Sequence, residues 1–232
     1  MAIVEKTFRV NNTTISYDDS DIYESRVEDL GHINPSLEFW LFHNRGLYDN
    51  ALVVGAGFGL SSKLLADWGT TVTSVEPQSD RFALLESNVP TSTNINKMCG
   101  ASAGTTDLVY FEDNKSGSAI NKTMGDASES VEVITVDSLD LTLDLMLVYA
   151  NGKELDVIDG ASDTIADNTG IKIILKWIPD LFDDVDAAIT KLNGYGKTIK
   201  IIHWEKDGDE ISYKDVDNDI LKAVGTADLL LE

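Results

Sequence analysis

Residues 51–77, ALVVGAGFGLSSKLLADWGTTVTSVEP, decide how the rest of the chain is read. The run at 51–54 is apolar and β-branched, with the length of a buried strand. Glycines follow at three alternate positions, Gly55, Gly57 and Gly59. Leu60, Leu64 and Leu65 then fall at helical spacing. Residues 71–75 read as a second strand, and it ends on an acid, Glu76. The order strand, glycine turn, helix, strand, acid is half of a nucleotide-binding βαβ unit.

The physical logic is local. Glycine lets the backbone turn sharply and approach a ligand with no Cβ in the way. The N–H groups at a helix start offer hydrogen bonds and partial positive charge to an anionic group. A carboxylate at the end of the second strand can accept from both hydroxyls of a ribose. A dinucleotide fingerprint would need glycine at position 60, where this chain has Leu60. The bland alternative is a tight β–α turn followed by a solvated glutamate.

The 232 residues suit one domain with a substantial core, and 43% hydrophobic content is that of a globular chain. No apolar run approaches the ~18 residues of a membrane helix. The opening MAIVEKTFRV lacks a signal-like pattern, and Cys99 is the only cysteine. A cytoplasmic location is the expectation, with neither a disulfide framework nor a cysteine-based zinc site. The net charge of −22 repels phosphate backbones and anionic membranes, so neither nucleic acid nor a membrane is an expected partner.

Residues 1–45 read as a cap packed on the core, with strands at 7–10 and 14–17 and helices at 25–30 and 36–43. Residues 46–232 form the main domain. His32 and His43 lack a third ligand at helical spacing, so no metal site is indicated. Beyond Glu76 the pattern predicts a helix at 80–88, strands at 94–99 and 108–112, and a polar stretch at 114–130 that reads as a surface loop or a lid. Strands follow at 131–136, 145–148 and 171–178, with helices at 154–166 and 180–192. Asp207-Gly208 between two β-rich runs signals a hairpin. The acids at 215–219 begin like a calcium loop, but Ile220 and Thr226 replace its glycine and its glutamate.

The G-x-G-x-G turn and Glu76 resemble motif I and the ribose acid of the class I S-adenosylmethionine-dependent methyltransferases. From about residue 23 to 195 the order of pieces resembles the FkbM family within that class. The matching stretches are VVGAGFG (53–59), SVEP (74–77), LLESNV (84–89), VEVITVDSLD (131–140), DLMLVYANGKELDVIDGA (144–161) and LNGY (192–195). The resemblance implies a Rossmann-like α/β fold: a mostly parallel seven-stranded sheet, helices on both faces, and a C-terminal antiparallel hairpin. It implies S-adenosylmethionine as cofactor, held by Gly55, Ala56, Gly57, Phe58, Gly59, Glu76, Pro77, Gly100, Ala101 and Asn151. It also implies methyl transfer to a hydroxyl of a sugar or other small molecule, with Tyr149, Asn151 and Glu154 as catalytic candidates.

The departures from the family fall on polar positions. Leu147 replaces the usual lysine, Tyr149 an aspartate, Asn151 a glutamate, Lys176 a glutamate, and Val53 an aspartate. Asn151 can orient a hydroxyl but is no base; Tyr149 can hydrogen-bond or set its ring against a positive sulfur. Glu154 is either an active acid or a charge favoured at a helix N-terminus. Two functional classes follow: an O-methyltransferase, or a catalytically impaired relative that binds the cofactor or serves as an interaction module. No feature of the sequence sets an oligomeric state.

Overall fold

The computed structural model describes residues 3–19, 31–111, 114–120 (backbone only) and 125–232. Strands β1 (Ile3–Thr7) and β2 (Thr14–Asp18) pair antiparallel. Asn11 and Asn12 take positive φ between them, a region asparagine tolerates better than most residues. The first strand ends where the sequence pattern starts it, because these asparagines begin the turn. The helix expected at 25–30 lies outside the described residues. Helix α1 (Pro35–His43) starts on a proline, and the Asn34 side chain accepts from Leu37 N.

Next come β3 (Asn50–Val54), α2 (Leu60–Asp67), β4 (Thr71–Val75), α3 (Ser79–Asn88) and β5 (Thr93–Ile95). The chain then leaves the main sheet through β6 (Met98–Cys99), β7 (Gly104–Phe111), β8 (Asn114–Ile120) and β9 (Ala127–Ile134). It returns as β10 (Leu145–Val148), α4 (Glu154–Asp159), α5 (Ser162–Asp167), β11 (Lys172–Trp177) and α6 (Val185–Gly194). Strands β12 (Ile199–Glu205) and β13 (Glu210–Asp215), helix α7 (Asn218–Ala223) and β14 (Ala227–Leu231) complete it.

Among the described residues the main sheet has eight strands, in the order β13-β12-β14-β11-β10-β3-β4-β5, where seven were expected. The five strands from β11 to β5 pair in parallel, and β14 joins β11 and β12 antiparallel. Strands β12 and β13 pair antiparallel around residues 206–209, and the chain then turns back to insert β14. The hairpin is therefore followed by a further helix and strand. All five residues of β14 are buried, since it is hydrogen-bonded on both edges.

A separate four-stranded sheet, β6-β9-β7-β8, takes in β8 and the start of β9 from the stretch at 114–130 that was expected to be a polar loop or lid. Polar and β-branched residues alternate along β9, which pairs with β7 from Gly104↔Val133 to Tyr110↔Ala127. The expected strand at 94–99 divides into β5 and β6, one in each sheet. The expected helix at 154–166 breaks at Gly160, where a Cβ would stand 2.1 Å from the Gly100 carbonyl oxygen. Helix α6 begins at Val185 rather than at 180, because the Asp184 carboxylate accepts from Ala187 N at 2.9 Å.

Strand alternation sends side chains to two cores. Ala51, Val53, Leu147, Ile174 and Leu230 meet α1 and α2 on one face through Leu37, Trp40 and Leu64. Leu52, Met146, Ile173 and Leu229 meet α4 and α6 on the other through Leu155 and Ile189. Each such buried leucine or isoleucine contributes ~1.5–3 kcal/mol. The N-terminal residues Phe8, Ile15 and Tyr17 join the first core, which fixes the β1–β2 hairpin against the sheet. Among the described residues no helix is long and apolar enough to cross a membrane.

Candidate functional site

The strand order reverses direction between β3 and β10, and a parallel α/β sheet opens a crevice at the C-terminal ends of such a pair. Gly55 follows β3 and Tyr149 follows β10 at that point. The N–H groups of Gly55 and Ala56 both donate to Val75 O, at 2.9 and 3.1 Å, tying the turn to the end of β4. A Cβ on Gly55 would lie 2.0 Å from the Tyr149 carbonyl oxygen, so only glycine lets the two strand ends approach this closely.

Gly57 serves differently. Its φ is +57°, and the nearest atoms to an added Cβ would be the Arg81 guanidinium, at 3.7–3.9 Å. Its N–H donates to Glu76 Oε2 at 2.8 Å, while Gln78 N donates to Glu76 Oε1 at 3.0 Å. The ribose acid expected from sequence is thus turned onto the glycine turn and is 6% exposed. Burial pushes its carboxyl above the ordinary range, against the pull of Arg81 and of the Gln78 and Gly57 N–H groups. Each carboxylate oxygen holds one backbone N–H and keeps lone-pair capacity for a further donor. Asn96 Nδ2 bridges the carbonyls of Glu76 and Pro77, at 2.9 and 3.0 Å, and fixes the segment beside the acid.

The remaining turn residues look inward. Phe58 is buried and packs its ring against Tyr17, 6.3 Å between centroids, in the first core. Gly59 caps α2 in a left-handed conformation and faces Leu85 and Val89. Gly100 is buried, donating its N–H to Ile134 O and packing its carbonyl on Gly160, with Ala101 exposed beside it. These contacts hold the second sheet to α4.

After β10, residues 149–152 form a tight loop with Asn151 at φ +48°. Glu154, 2% exposed, reaches back to this loop and accepts from Ala150 N at 3.0 Å and Gly152 N at 2.9 Å, and from the Asn151 N–H. Burial pushes its carboxyl up to about 7, opposed by those same hydrogen bonds. Glu154 therefore shapes the loop that follows β10, a role the helix-charge reading only partly anticipates. Tyr149 turns to the α1 face, where its hydroxyl donates to Asp228 Oδ1 at 2.8 Å. Asn34 Nδ2 donates to the same oxygen at 3.0 Å, and Lys176 Nζ lies 3.9 Å from it. Asn34 is itself set by Glu38, which accepts from the N–H groups of Ile33 and Asn34 and pairs with buried His32.

Arg81, Asn96, Asn34 and Asp228 were not singled out by sequence reasoning. A signal existed only for Asp228, a lone acid inside the apolar run ADLLL, since a carboxylate placed in a buried strand requires a partner.

The strand order, the glycine turn at the switch point and the acid ending β4 define the fold of the class I S-adenosylmethionine-dependent methyltransferases. Solved structures of that class share it. Methyltransferase FkbM from Methylobacillus flagellatus KT superposes with a TM-score of 0.51 at 16% identity, covering 79% of this chain and 43% of its own. The chain thus spans less than half the length of that protein. A TehB-like S-adenosylmethionine-dependent methyltransferase from Corynebacterium glutamicum ATCC 13032 Kitasato superposes at 0.50 and 12% identity, covering 91% and 96%. No family model matches the sequence, and no curated protein matches it. At these identities the likeness is one of fold.

Proposed function

We propose that the chain is an S-adenosylmethionine-dependent methyltransferase of FkbM type that methylates a hydroxyl of a sugar or other small molecule. The observation that carries the reading is Glu76, whose buried carboxylate lies against the glycine turn through Gly57 N. The donor set fits the cofactor: a carboxylate with spare lone pairs for a ribose diol, beside a glycine turn where even an added Cβ on Gly57 would reach only ordinary contact distance from Arg81. On this reading Gly55, Ala56, Gly57 and Glu76 hold the cofactor, with Pro77 and the Gly100-Ala101 segment toward its base and Asn151 toward its amino-acid end. When bound, S-adenosylmethionine supplies a methyl carbon made electrophilic by a positive sulfur. Residues 1–45 act as the cap and 46–232 as the catalytic domain, whose net charge of −22 disfavours nucleic acid as acceptor.

The protein's own contribution is alignment. The loop locked by Glu154 and the close approach of Gly55 to Tyr149 fix the crevice walls before any ligand arrives. A second reading, a cofactor binder without turnover, is favoured by one observation: Glu154, the acid nearest in sequence to the departed motif acids, is enclosed by its own loop. Calorimetric titration with S-adenosylhomocysteine tests both readings at their shared step. Binding supports them; no heat and no protection against thermal unfolding at millimolar ligand would remove them. Label transfer from the methyl donor then separates catalyst from binder.

A further inference from the structure

The carboxyl ends of β3, β10 and β11 form one row. Val148 pairs with Val54 on one side and with Leu175 on the other, so Gly55, Tyr149 and Lys176 follow at one level where the crevice opens. Lys176 stands two strand spacings, ~10 Å, from the glycine turn. The FkbM pattern carries a glutamate there, so the charge at this end of the row is reversed. The Lys176 side chain keeps 17% of its surface open, while Asp228 beside it is buried. Its Nζ lies 3.9 Å from Asp228 Oδ1 and 5.8 Å from the centre of the Tyr149 ring. Neither contact is a hydrogen bond, and among the described residues this ammonium, with three N–H donors, makes none.

The two acids hydrogen-bonded to residues 149–152 are closed off. Asp228 Oδ1 takes the Tyr149 hydroxyl at 2.8 Å and the Asn34 amide at 3.0 Å. The Tyr149 oxygen in turn receives Asn34 Nδ2 at 3.4 Å. Glu154 is 2% exposed, with both oxygens on N–H groups of its own loop. What the row presents to the crevice is a partly open cation.

We infer that Lys176 binds the methyl acceptor and that the acceptor reaches it as an oxyanion, an ionised carboxylic acid or acidic phenol rather than an alcohol. This rests on the methyltransferase reading above and narrows its hydroxyl acceptor to acidic ones. An alcohol must give up its proton as it is methylated, which calls for a base within hydrogen-bond reach. An oxyanion needs none. Its lone pair forms the bond to the methyl carbon, the carbon–sulfur bond breaks, and that electron pair stays on the donor sulfur, so no proton moves. The ammonium supplies charge-assisted hydrogen bonds to the acceptor oxygens, and it offers an anion a local partner in a chain whose net charge is −22. Asp228 steadies Lys176 from behind, and Asn34 and Tyr149 hold Asp228.

The test uses the full chain, with S-adenosylhomocysteine for binding and methyl-labelled S-adenosylmethionine for turnover. Benzoate and 4-nitrophenolate are the oxyanion probes; benzyl alcohol and methyl glucoside are the alcohols. With S-adenosylhomocysteine present, benzoate is expected to bind at least tenfold tighter than benzyl alcohol, which differs from it chiefly in charge. Label is expected on benzoate as the methyl ester or on 4-nitrophenolate as the methyl ether, which tells the two sources apart, and on neither alcohol. Between about pH 6 and pH 9, kcat/KM for the labelled oxyanion should follow only the probe's own ionisation, since no protein base takes part. Lys176→Met should erase the preference for benzoate and lower kcat/KM at least tenfold, with the Kd for S-adenosylhomocysteine within threefold of the parent. Lys176→Arg, which keeps the charge, should keep the preference. The parent's own preference and pH profile leave the inference open to refutation if Lys176→Met fails to fold. Equal binding of benzoate and benzyl alcohol, a preference that survives in Lys176→Met, label on an alcohol, a further ionisation in the pH profile, or label on no probe from a protein that binds S-adenosylhomocysteine would each overturn it. Failure of the parent to bind S-adenosylhomocysteine appears in the calorimeter first and removes the underlying reading instead.

Discussion

Substituting alanine at Gly55 and at Gly57 separates what two glycines of one turn do. At Gly55 an added Cβ would stand 2.0 Å from the Tyr149 carbonyl oxygen, more than an ångström inside contact distance. That oxygen belongs to backbone held by Tyr149 N donating to Val54 O at 2.9 Å, so relief requires parting β3 from β10. The φ of +73° adds the left-handed cost of ~1–2 kcal/mol. Overpacking adds ~1–3 kcal/mol. Gly55→Ala is therefore expected to destabilise the fold by ~2–5 kcal/mol, a large part of an ordinary domain's stability. At Gly57 the φ of +57° carries the same backbone cost, but the nearest atoms are the flexible Arg81 guanidinium at 3.7 Å or beyond. Gly57→Ala should cost only ~1–2 kcal/mol, while weakening S-adenosylhomocysteine binding by tenfold or more. Urea unfolding followed by circular dichroism gives the stabilities, and calorimetry of the folded variants gives the affinities. A Gly55→Ala protein within 1 kcal/mol of the parent would refute the close-approach argument.

Glu154 predicts a pH dependence of stability. Its folded value of about 7 lies above the ordinary carboxyl range, so the folded state binds more protons and stability falls as pH rises from about 4.5 through 7. A shift of that size corresponds to ~3 kcal/mol, and Glu154→Gln should remove most of this slope between pH 5 and pH 8 in urea titrations. Asn96→Ala, which frees the carbonyls of Glu76 and Pro77, should cost ~1 kcal/mol and weaken S-adenosylhomocysteine severalfold, read by the same two measurements. Cys99 is 2% exposed and burial pushes its thiol up to about 12, so a disulfide reagent should leave it unmodified until the chain is unfolded.

The parts of the fold that sequence made legible are those with local signals. A β-branched run, a glycine turn, leucines at helical spacing and an acid at a strand end all lie within residues 51–77, and each signal holds without knowing its neighbours. Strand β14 had no such signal. ADLLL is leucine-rich rather than β-branched, and it becomes a strand because β11 and β12 hydrogen-bond it from both sides. The stretch at 114–130 read as a loop because its residues are small and polar; long antiparallel pairing with β7 overrides that composition for β8 and β9. The site divides in the same way. Glu76 and Gly57 meet across one βαβ unit, whereas Tyr149 and Asp228 meet across 79 positions, and no spacing rule brings them together.

The claim at the centre is that Glu76 and the turn at Gly57 form a ribose-binding site, and calorimetry of S-adenosylhomocysteine against the parent and Glu76→Gln reads it most directly. A carboxylate accepting hydrogen bonds from a ribose diol is worth ~1.5–3 kcal/mol per bond, so Glu76→Gln should weaken binding at least tenfold with the variant still folded. Equal affinity in the two proteins, or no binding to the parent at any concentration the calorimeter reaches, would contradict it.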